Sequence, residues 1–193
     1  MKKLGTKTLE TKRLLLRRLT KEDVIEAYNN WCSREIVAKY VLFETHASIE
    51  VTKDLFDRWE KEYEDLDTYR WIVELKDTNE LIGTIDVSKK FLKYGTCEIG
   101  YCYGDKFWGL GYGTESLEAV IKYLFEEVEL ELIYANHMIN NPASGKVMEK
   151  CGMKYEGKLR SRVIDKDGNR NDLISYSITR DEYYDLLKRK SPK

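Results

Sequence analysis

Three glycines at alternate positions mark the stretch of this chain whose residues are best suited to bind a ligand. The stretch runs Trp108-Gly109-Leu110-Gly111-Tyr112-Gly113-Thr114-Glu115 and leads directly into a helical pattern. Glycine allows positive φ angles and close approach of a ligand to the main chain, and the first turn of a helix offers unpaired N–H groups and the positive end of its dipole. We therefore expect an anion-binding turn whose natural guest is a diphosphate. The alternative is a tight strand-to-helix connection that binds nothing.

The residues that follow the glycines exclude two common nucleotide-binding motifs. A P-loop requires a Lys-Ser/Thr pair directly after its glycines, and a Rossmann fingerprint requires a later acidic residue that contacts the ribose. The sequence after Gly113 supplies neither. A nucleotide-binding domain of either type is therefore discarded.

Composition indicates one globular domain of mixed class. The chain has 193 residues, of which 42% are hydrophobic and 12% aromatic, enough to bury a single core. Its 33 basic and 34 acidic residues are spread along the chain and give a net charge of −1, so no overall field attracts nucleic acid or an anionic membrane. No stretch approaches the roughly 20 apolar residues of a membrane helix. We expect a soluble, cytoplasmic protein.

The cysteines favour neither a metal site nor a disulfide framework. They form no CxxC pair, and only two histidines could join them as ligands, so we expect no bound metal. Reduced thiols are typical of the cytosol. The residues concerned are Cys32, Cys97, Cys102, Cys151, His46 and His137.

The first third of the chain predicts one strand and two amphipathic helices. Leu14 to Leu16 has the composition of a strand, and helices capped by Thr20 and Ser48 follow it. Between the helices, residues 33–47 show no clear period and form either a plain connection or a cover over a substrate. The first helix carries an apolar stripe that we interpret as core packing. The stripe consists of Val24, Ala27, Tyr28 and Trp31.

The middle of the chain places the glycine turn at the C-terminal end of a strand. Residues 69–75 and 81–87 predict a β-hairpin, and residues 96–103 predict a strand that runs directly to the glycines. The amphipathic helix at 112–128 then crosses over to a strand at 130–137. Because a βαβ crossover joins them, the strands before and after this helix should be parallel.

The last third of the chain predicts a helix, two strands and a final helix. Pro142 occupies a first-turn position, and Gly152 can serve as a left-handed cap. Residues 165–169 resemble a calcium loop only superficially, because Arg170 and Tyr176 replace the glycine and glutamate that such a loop requires, so a hairpin turn is expected. The four elements span residues 142–151, 153–164, 172–178 and 181–190.

This order of elements, together with several short motifs, resembles the GCN5-related N-acetyltransferases, the GNAT superfamily. Within that superfamily it is similar to the RimJ/RimL-like ribosomal-protein alanine N-acetyltransferases. The resemblance covers about residues 10 to 185, which we expect to form a single domain. The motifs that carry it are Glu98-Ile99-Gly100-Tyr101, the glycine turn, Asn141-Pro142-Ala143-Ser144, Glu149-Lys150-Cys151-Gly152, and Tyr155-Glu156-Gly157 with Arg160.

The resemblance implies an α/β (α+β) fold of a particular kind. It has a central mixed, mostly antiparallel twisted sheet of about seven strands with helices on both faces. The fourth and fifth strands splay apart in a V. Acetyl-coenzyme A lies in this gap, with its pyrophosphate on the turn and its thioester carbonyl bound by the backbone of the fourth strand, here Ile99 to Tyr101. Gly100 would allow the strand to bulge there.

The resemblance also implies a set of residues that bind acetyl-CoA. Asn141 should bond the pantetheine arm, and Ser144 lies on the same helix face near the sulfur. Two positions depart from the family pattern: Trp108 replaces a cationic or amide residue, and Met148 stands where a tyrosine acid is frequent. The full set is Ile99, Gly100, Tyr101, Trp108, Gly109, Leu110, Gly111, Tyr112, Gly113, Thr114, Asn141, Ser144 and Lys150.

Attack by an amine requires a base, because the ammonium form predominates at neutral pH. Glu98 is the first candidate since it precedes the carbonyl-binding backbone, although the sequence leaves open which sheet face its side chain occupies. Asp86 and Asp172 are lesser candidates. Ser144 could protonate the departing thiolate, but a thiolate can also leave without an acid.

The implied activity is transfer of an acetyl group from acetyl-CoA to a primary amine by direct attack through a tetrahedral intermediate. The acceptor is a peptide N-terminus or a small-molecule amine. The alternative is a non-catalytic module that binds or senses acyl-CoA, for which Met148 is the best support. Exposed strand edges often pair in this fold, so a homodimer is also considered.

Overall fold

Eight strands form one sheet in the order β1-β2-β3-β4-β5-β6-β8-β7. The computed structural model describes residues 2–41, 43–91, 94–165 and 168–190, apart from the side chains of residues 89–91 and 190. The strands are β1 (Leu9–Glu10), β2 (Leu14–Arg17), β3 (Arg70–Leu75), β4 (Leu81–Phe91), β5 (Thr96–Tyr103), β6 (Leu132–Met138), β7 (Lys154–Ile164) and β8 (Arg170–Thr179).

In the part of the chain that the structure describes, six α-helices connect or follow these strands. Thr20 and Asp23 form a capping box before the first helix, Pro142 opens the fifth, and Gly152 follows it with a φ of +86°. The predicted start and stop signals are thus confirmed at these positions. The helices are α1 (Val24–Ala27), which continues into a π turn (Tyr28–Cys32), α2 (Glu35–Ala38), α3 (Ile49–Glu62), α4 (Tyr112–Glu126), α5 (Pro142–Lys150) and α6 (Arg180–Lys190).

The sheet separates two hydrophobic cores. On one face, which we call the α4–α5 face, residues such as Leu117 and Met148 pack against the alternating apolar residues of the strands. On the other, the α1–α3 face, Trp31 and Phe56 pack against Ile72 and its neighbours. The predicted stripe of the first helix contributes Val24, Ala27 and Trp31 to this second core, whereas its fourth residue, Tyr28, is only half-buried and is not among the core residues.

The strands β5 and β6 form a parallel pair that is only three residues long. Thr96 to Glu98 pair with Leu132 to Tyr134. Beyond these residues β5 continues to Tyr103 against β4, while β6 continues to Met138 against β8. The two strands therefore diverge, and a gap opens between them at the point where the V-shaped splay was predicted.

The predicted mixed, mostly antiparallel sheet of about seven strands is confirmed for the described residues. The additional strand is β1, whose two residues pair with Leu15 and Leu16 of β2 and are too few to give a sequence period. The predicted fourth and fifth strands are consequently β5 and β6. The segment at 33–47, in which the sequence shows no clear period, contains the short helix α2, and its residue 42 lies outside the described residues. Among the described residues, no helix is long and apolar enough to cross a membrane.

Candidate active site

The glycine turn presents backbone N–H groups at the start of α4. Gly109 and Gly111 have φ angles of +77° and +84°, and Gly111 is the residue that precedes the first helical turn. The first helical hydrogen bond runs from the Glu115 N–H to the Gly111 carbonyl at 3.1 Å. The N–H groups of residues 112–114 therefore lack a helical acceptor, which is the arrangement that binds anions. Around Gly109 there is open space, since a Cβ there would meet nothing within 4 Å.

A clamp holds this turn in place. It consists of the Glu115 carboxylate at the start of α4 and of Thr11 and Arg13 near the N-terminus. Glu115 accepts hydrogen bonds from Thr11 Oγ1 at 2.6 Å, from the Arg13 N–H at 2.8 Å and from Arg13 Nε at 2.7 Å. Arg13 Nη1 also donates to the Leu110 carbonyl at 3.0 Å. Burial acts to raise the pKa of the Glu115 carboxyl, but the bonds from Thr11 and Arg13 outweigh it and lower that pKa. Sequence reasoning missed Thr11 and Arg13.

Trp108 fastens the turn to its surroundings through the indole ring. Its Nε1 donates to the Tyr103 carbonyl at the end of β5, at 2.8 Å, and its ring lies edge-on to Tyr40 with 5.9 Å between the centroids. Nearby, Arg34 makes a bidentate ion pair with Asp105 at 2.9 and 2.8 Å. The segment that begins at α2 is thus docked on the turn.

On the α4–α5 face, two hydroxyl groups meet at the gap between β5 and β6. The Tyr101 hydroxyl lies 2.8 Å from Ser144 Oγ and donates to the Ser144 carbonyl at 3.0 Å. Burial raises the pKa of Tyr101, so its phenol stays protonated at physiological pH. Asn141 caps α5, with its side-chain oxygen accepting from the Ser144 N–H at 3.4 Å. This cap leaves the Asn141 NH₂ group out of the interaction.

The far end of α5 comes close to the turn. The Cys151 thiol lies 3.5 Å from the Thr114 carbonyl oxygen, and Lys150, the residue before it, is exposed in the last turn of the helix. Met148 is only 1% exposed and belongs to the core. Its position therefore serves packing rather than chemistry.

Glu98 lies on the α1–α3 face. Its neighbours Cys97 and Ile99 point into the core of the opposite face, so the alternation of the strand directs Glu98 away from α4 and α5. Glu98 Oε1 accepts a hydrogen bond from Asn136 Nδ2 at 2.8 Å. Burial raises the pKa of Tyr134, and the negative charge of the nearby Glu98 carboxylate raises it further. Neither Asn136 nor Tyr134 was singled out from the sequence.

Asp86 lies beside Glu98 on the same face, opposite Gly100 of β5. A Cβ on Gly100 would approach Asp86 Oδ1 to 3.4 Å, so glycine keeps this part of the face open. Arg70 Nε donates to Asp86 at 3.3 Å, and Arg70 Nη1 donates to Glu62 at 2.6 Å. Burial raises the pKa of the Asp86 carboxyl, although Arg70 acts in the opposite direction.

Asp172, the other candidate base, is engaged elsewhere. It forms an ion pair with Lys158 at 2.7 Å and accepts from the Ser161 N–H at 2.8 Å. The hydrogen bond from Lys158 lowers the pKa of the Asp172 carboxyl. An ion-paired carboxylate of lowered pKa is a weak base, so Asp172 is the poorest of the three candidates.

The geometry thus divides the candidate residues between the two faces of the sheet at one gap. The turn, Tyr101, Ser144 and Asn141 lie on the α4–α5 side, and Glu98 lies on the other. An extended ligand that starts at the turn and passes through the gap would therefore reach Glu98 on the other face of the sheet. Among the described residues, no group of three or more His, Cys, Asp or Glu side chains is placed to bind a metal ion.

Comparison with known proteins gives consistent matches. Residues 13–154 match the family model described as an acetyltransferase (GNAT) domain. The chain is 34% identical over 172 residues, 89% of this chain and 96% of the other, to the uncharacterized N-acetyltransferase YoaA of Bacillus subtilis (strain 168). It is 30% identical over 104 residues, 53% of each chain, to the ribosomal protein uS5-alanine N-acetyltransferase of Escherichia coli (strain K12). A GNAT-family acetyltransferase structure from Bacillus anthracis superposes with a TM-score of 0.80 at 28% identity, covering 91% of this chain and 99% of that one.

Proposed function

Because the chain belongs to the GNAT acetyltransferase family, whose RimJ/RimL-like members it resembles, we propose that it transfers the acetyl group of acetyl-CoA to a primary amine by direct attack. The acceptor is a peptide N-terminus or a small-molecule amine. The observation that carries the proposal is the gap between β5 and β6, which has an anion-binding turn on one side and a carboxylate on the other.

The residues present fit acetyl-CoA, the acetyl donor. The turn offers the N–H groups of residues 112–114 to a diphosphate, and the open space at Gly109 allows close approach. The Asn141 NH₂ group and the Ser144 hydroxyl line the way to the gap. Lys150, exposed beside the turn, is placed to meet a further phosphate. When bound, the thioester supplies an activated acetyl group.

The backbone of β5 beyond the paired region is the proposed oxyanion-binding element. The N–H groups of a strand point alternately to its two neighbours. The Gly95 carbonyl accepts from the Leu132 N–H and therefore faces β6, so the Tyr101 N–H, six residues further on, faces the gap beyond the end of the ladder at Glu98. An N–H group fixed by the sheet toward the carbonyl oxygen would stabilise the charge that develops when the amine attacks.

Glu98 is the proposed base and acts through water. The Glu98 carboxylate first accepts a proton from the acceptor ammonium ion. The neutral amine then attacks, a C–N bond forms and the C–S bond breaks. The departing thiolate takes a proton from solvent or from the Ser144 hydroxyl, which Tyr101 contacts at 2.8 Å; the second proton that leaves the nitrogen restores the proton of Ser144 or of solvent. Asp86 is the second candidate for the base, because it lies on the same face at the next strand.

The charges on the α1–α3 face support an acceptor that arrives as an ammonium ion. Glu62, Asp86 and Glu98 are acidic, and Arg70 is the cation paired with two of them. The uS5-alanine relative acts, by its name, on an alanine of ribosomal protein uS5. A peptide N-terminus is therefore the first acceptor to test, ahead of polyamines, amino acids and aminoglycosides.

Mass spectrometry of an amine library tests the proposal. The purified protein and acetyl-CoA are incubated with peptides of different N-terminal residues and with small amines, and heat-denatured protein is the control. We expect acetylation of at least one primary amine above the control. If the protein binds coenzyme A by calorimetry but acetylates nothing, the non-catalytic acyl-CoA module is the better description.

Replacement of the base gives a pH signature. Glu98→Gln should lower kcat/KM by about 100-fold or more near neutral pH, the usual scale for a positioned base. The loss should shrink at high pH, because the free amine then needs no base. Asp86→Asn is the companion variant. If Glu98→Gln keeps wild-type kcat/KM at every pH while Asp86→Asn does not, the base is Asp86.

A further inference from the structure

Asn136 is a half-buried residue whose side-chain amide has an unusual position. It lies on β6 two residues beyond Tyr134, the last residue paired with β5, and reaches back across the gap to donate to Glu98 Oε1 at 2.8 Å. Its own carbonyl oxygen, Oδ1, is shielded from solvent and accepts no hydrogen bond from the residues that the structure describes. A buried acceptor without a donor costs free energy comparable to a lost hydrogen bond.

That cost argues against a purely structural role. A leucine has nearly the same shape, would fill the same space, and would leave no oxygen unsatisfied. Exchange of a half-satisfied buried polar group for an apolar one of similar size is often neutral or stabilising. The amide thus gives the fold little, and the interaction that it does make is directed at the candidate base.

We propose that Asn136, together with Tyr134, is a positioning residue that fixes the Glu98 carboxylate for proton transfer from the acceptor amine. The proposal rests on the acetyl transfer proposed above. Tyr134 stands directly opposite Glu98 in the parallel register, where burial and then the charge of Glu98 raise the pKa of its phenol. One strand therefore supplies an amide that donates to the carboxylate and a phenol beside it, and these fix a side chain of the neighbouring strand at the mouth of the gap.

A test must separate positioning from packing. A base is needed for an acceptor that is an ammonium ion at the assay pH, but hardly for one that is already a neutral amine. The two substrates are a reactive alkylamine from the library and its fluorinated analogue of similar size. Fluorination lowers the pKa of the ammonium ion, so the analogue is present mainly as the neutral amine at the assay pH. The variants are Asn136→Leu and Tyr134→Phe. Ser175→Ala is the control, because Ser175 faces Asn136 from β8.

We expect Asn136→Leu to melt at or above the wild-type temperature, yet to lower kcat/KM on the alkylamine by about 10- to 100-fold, within the usual range for losing general-base assistance. On the fluorinated amine the loss should stay below about threefold, since no proton need be removed before attack. Tyr134→Phe should show the same selectivity to a smaller extent and carries the test if Asn136→Leu does not fold.

Equal losses on both amines, or a loss in Ser175→Ala as large as that in Asn136→Leu, would overturn the proposal in favour of a packing role. Failure of the acetyl transfer itself looks different. In that case the wild-type protein acetylates neither amine, and the positioning of Glu98 has no reaction to serve.

Discussion

Substitution of Gly111 by alanine tests whether the turn binds coenzyme A. Gly111 has a φ of +84°, in the left-handed region, where a side chain costs about 1–2 kcal/mol. The added Cβ would also lie 3.4 Å from Arg13 Nη2, and this guanidinium is held by Leu110 and Glu115. For a chain of this length the strain should lower Tm by about 2–8 °C.

Gly168 provides a matched control for that strain. It has a φ of +82° in the hairpin between β7 and β8, and a Cβ there would meet nothing within 4 Å. Gly168→Ala should therefore lose a similar amount of stability without touching the proposed site. If one charge-assisted hydrogen bond from the turn is lost in Gly111→Ala, its value of about 1.5–3 kcal/mol corresponds to about 10- to 100-fold in coenzyme A affinity.

Gly113→Ala separates steric access from backbone strain. Gly113 lies within α4, and its Cβ would meet Tyr103 and Val147 at 3.4 and 3.7 Å, ordinary contacts. Alanine should keep or raise Tm there, since glycine is a poor helix residue, while its methyl group impedes approach to the amides. Calorimetric titration with coenzyme A decides the matter. Equal affinities in Gly111→Ala, Gly113→Ala and Gly168→Ala would refute the assignment of the turn.

Two further predictions concern the elements around the gap and the turn. Asn141→Asp keeps the oxygen that caps α5 but loses the NH₂ group, so it should retain Tm and lower turnover by about tenfold. Met148→Leu, a volume-conserving core change, should leave turnover nearly unchanged in the same steady-state assay. The opposite ranking would show that the motif register is wrong. Glu115→Gln removes the negative charge that pairs with Arg13 and should weaken coenzyme A binding about three- to tenfold. Glu127→Gln, which breaks an ion pair at the other end of α4, should not weaken it. Equal effects of the two variants by calorimetry would contradict a specific role for the clamp.

Local chemistry made much of the fold predictable. Glycine at Gly111 and Gly152 marks left-handed positions that few other residues tolerate, and the change from helical to alternating apolar spacing identified the strands. The crossover rule then fixed β5 and β6 as parallel before any contact was known. Each of these inferences depends on residues within a few positions of one another.

The parts that were missed depend on contacts between distant segments. The clamp joins Glu115 to Thr11 and Arg13, which lie about a hundred residues earlier in the chain. No local sequence pattern predicts such a contact. The hydrogen bond from Asn136 of β6 to Glu98 depends on the register in which β6 meets β5. Since a shift of one residue in that register would turn every side chain to the other face, the positioning role of Asn136 could not be read before the pairing was known.

Met148 was the best support for the hypothesis of a non-catalytic protein, and its position in the structure weakens that hypothesis. Position 148 has no tyrosine hydroxyl, but the Met148 side chain is buried in the hydrophobic core. A different tyrosine, Tyr101, brings its hydroxyl to Ser144 at the gap. A thiolate whose parent thiol has an ordinary pKa of about 8.5 can also leave with little help. An ammonium ion cannot attack until it loses a proton, so the demand on the protein falls on the base. The amide of Asn136 donates to Glu98 at 2.8 Å, and a module that only bound acyl-CoA would have no use for that bond.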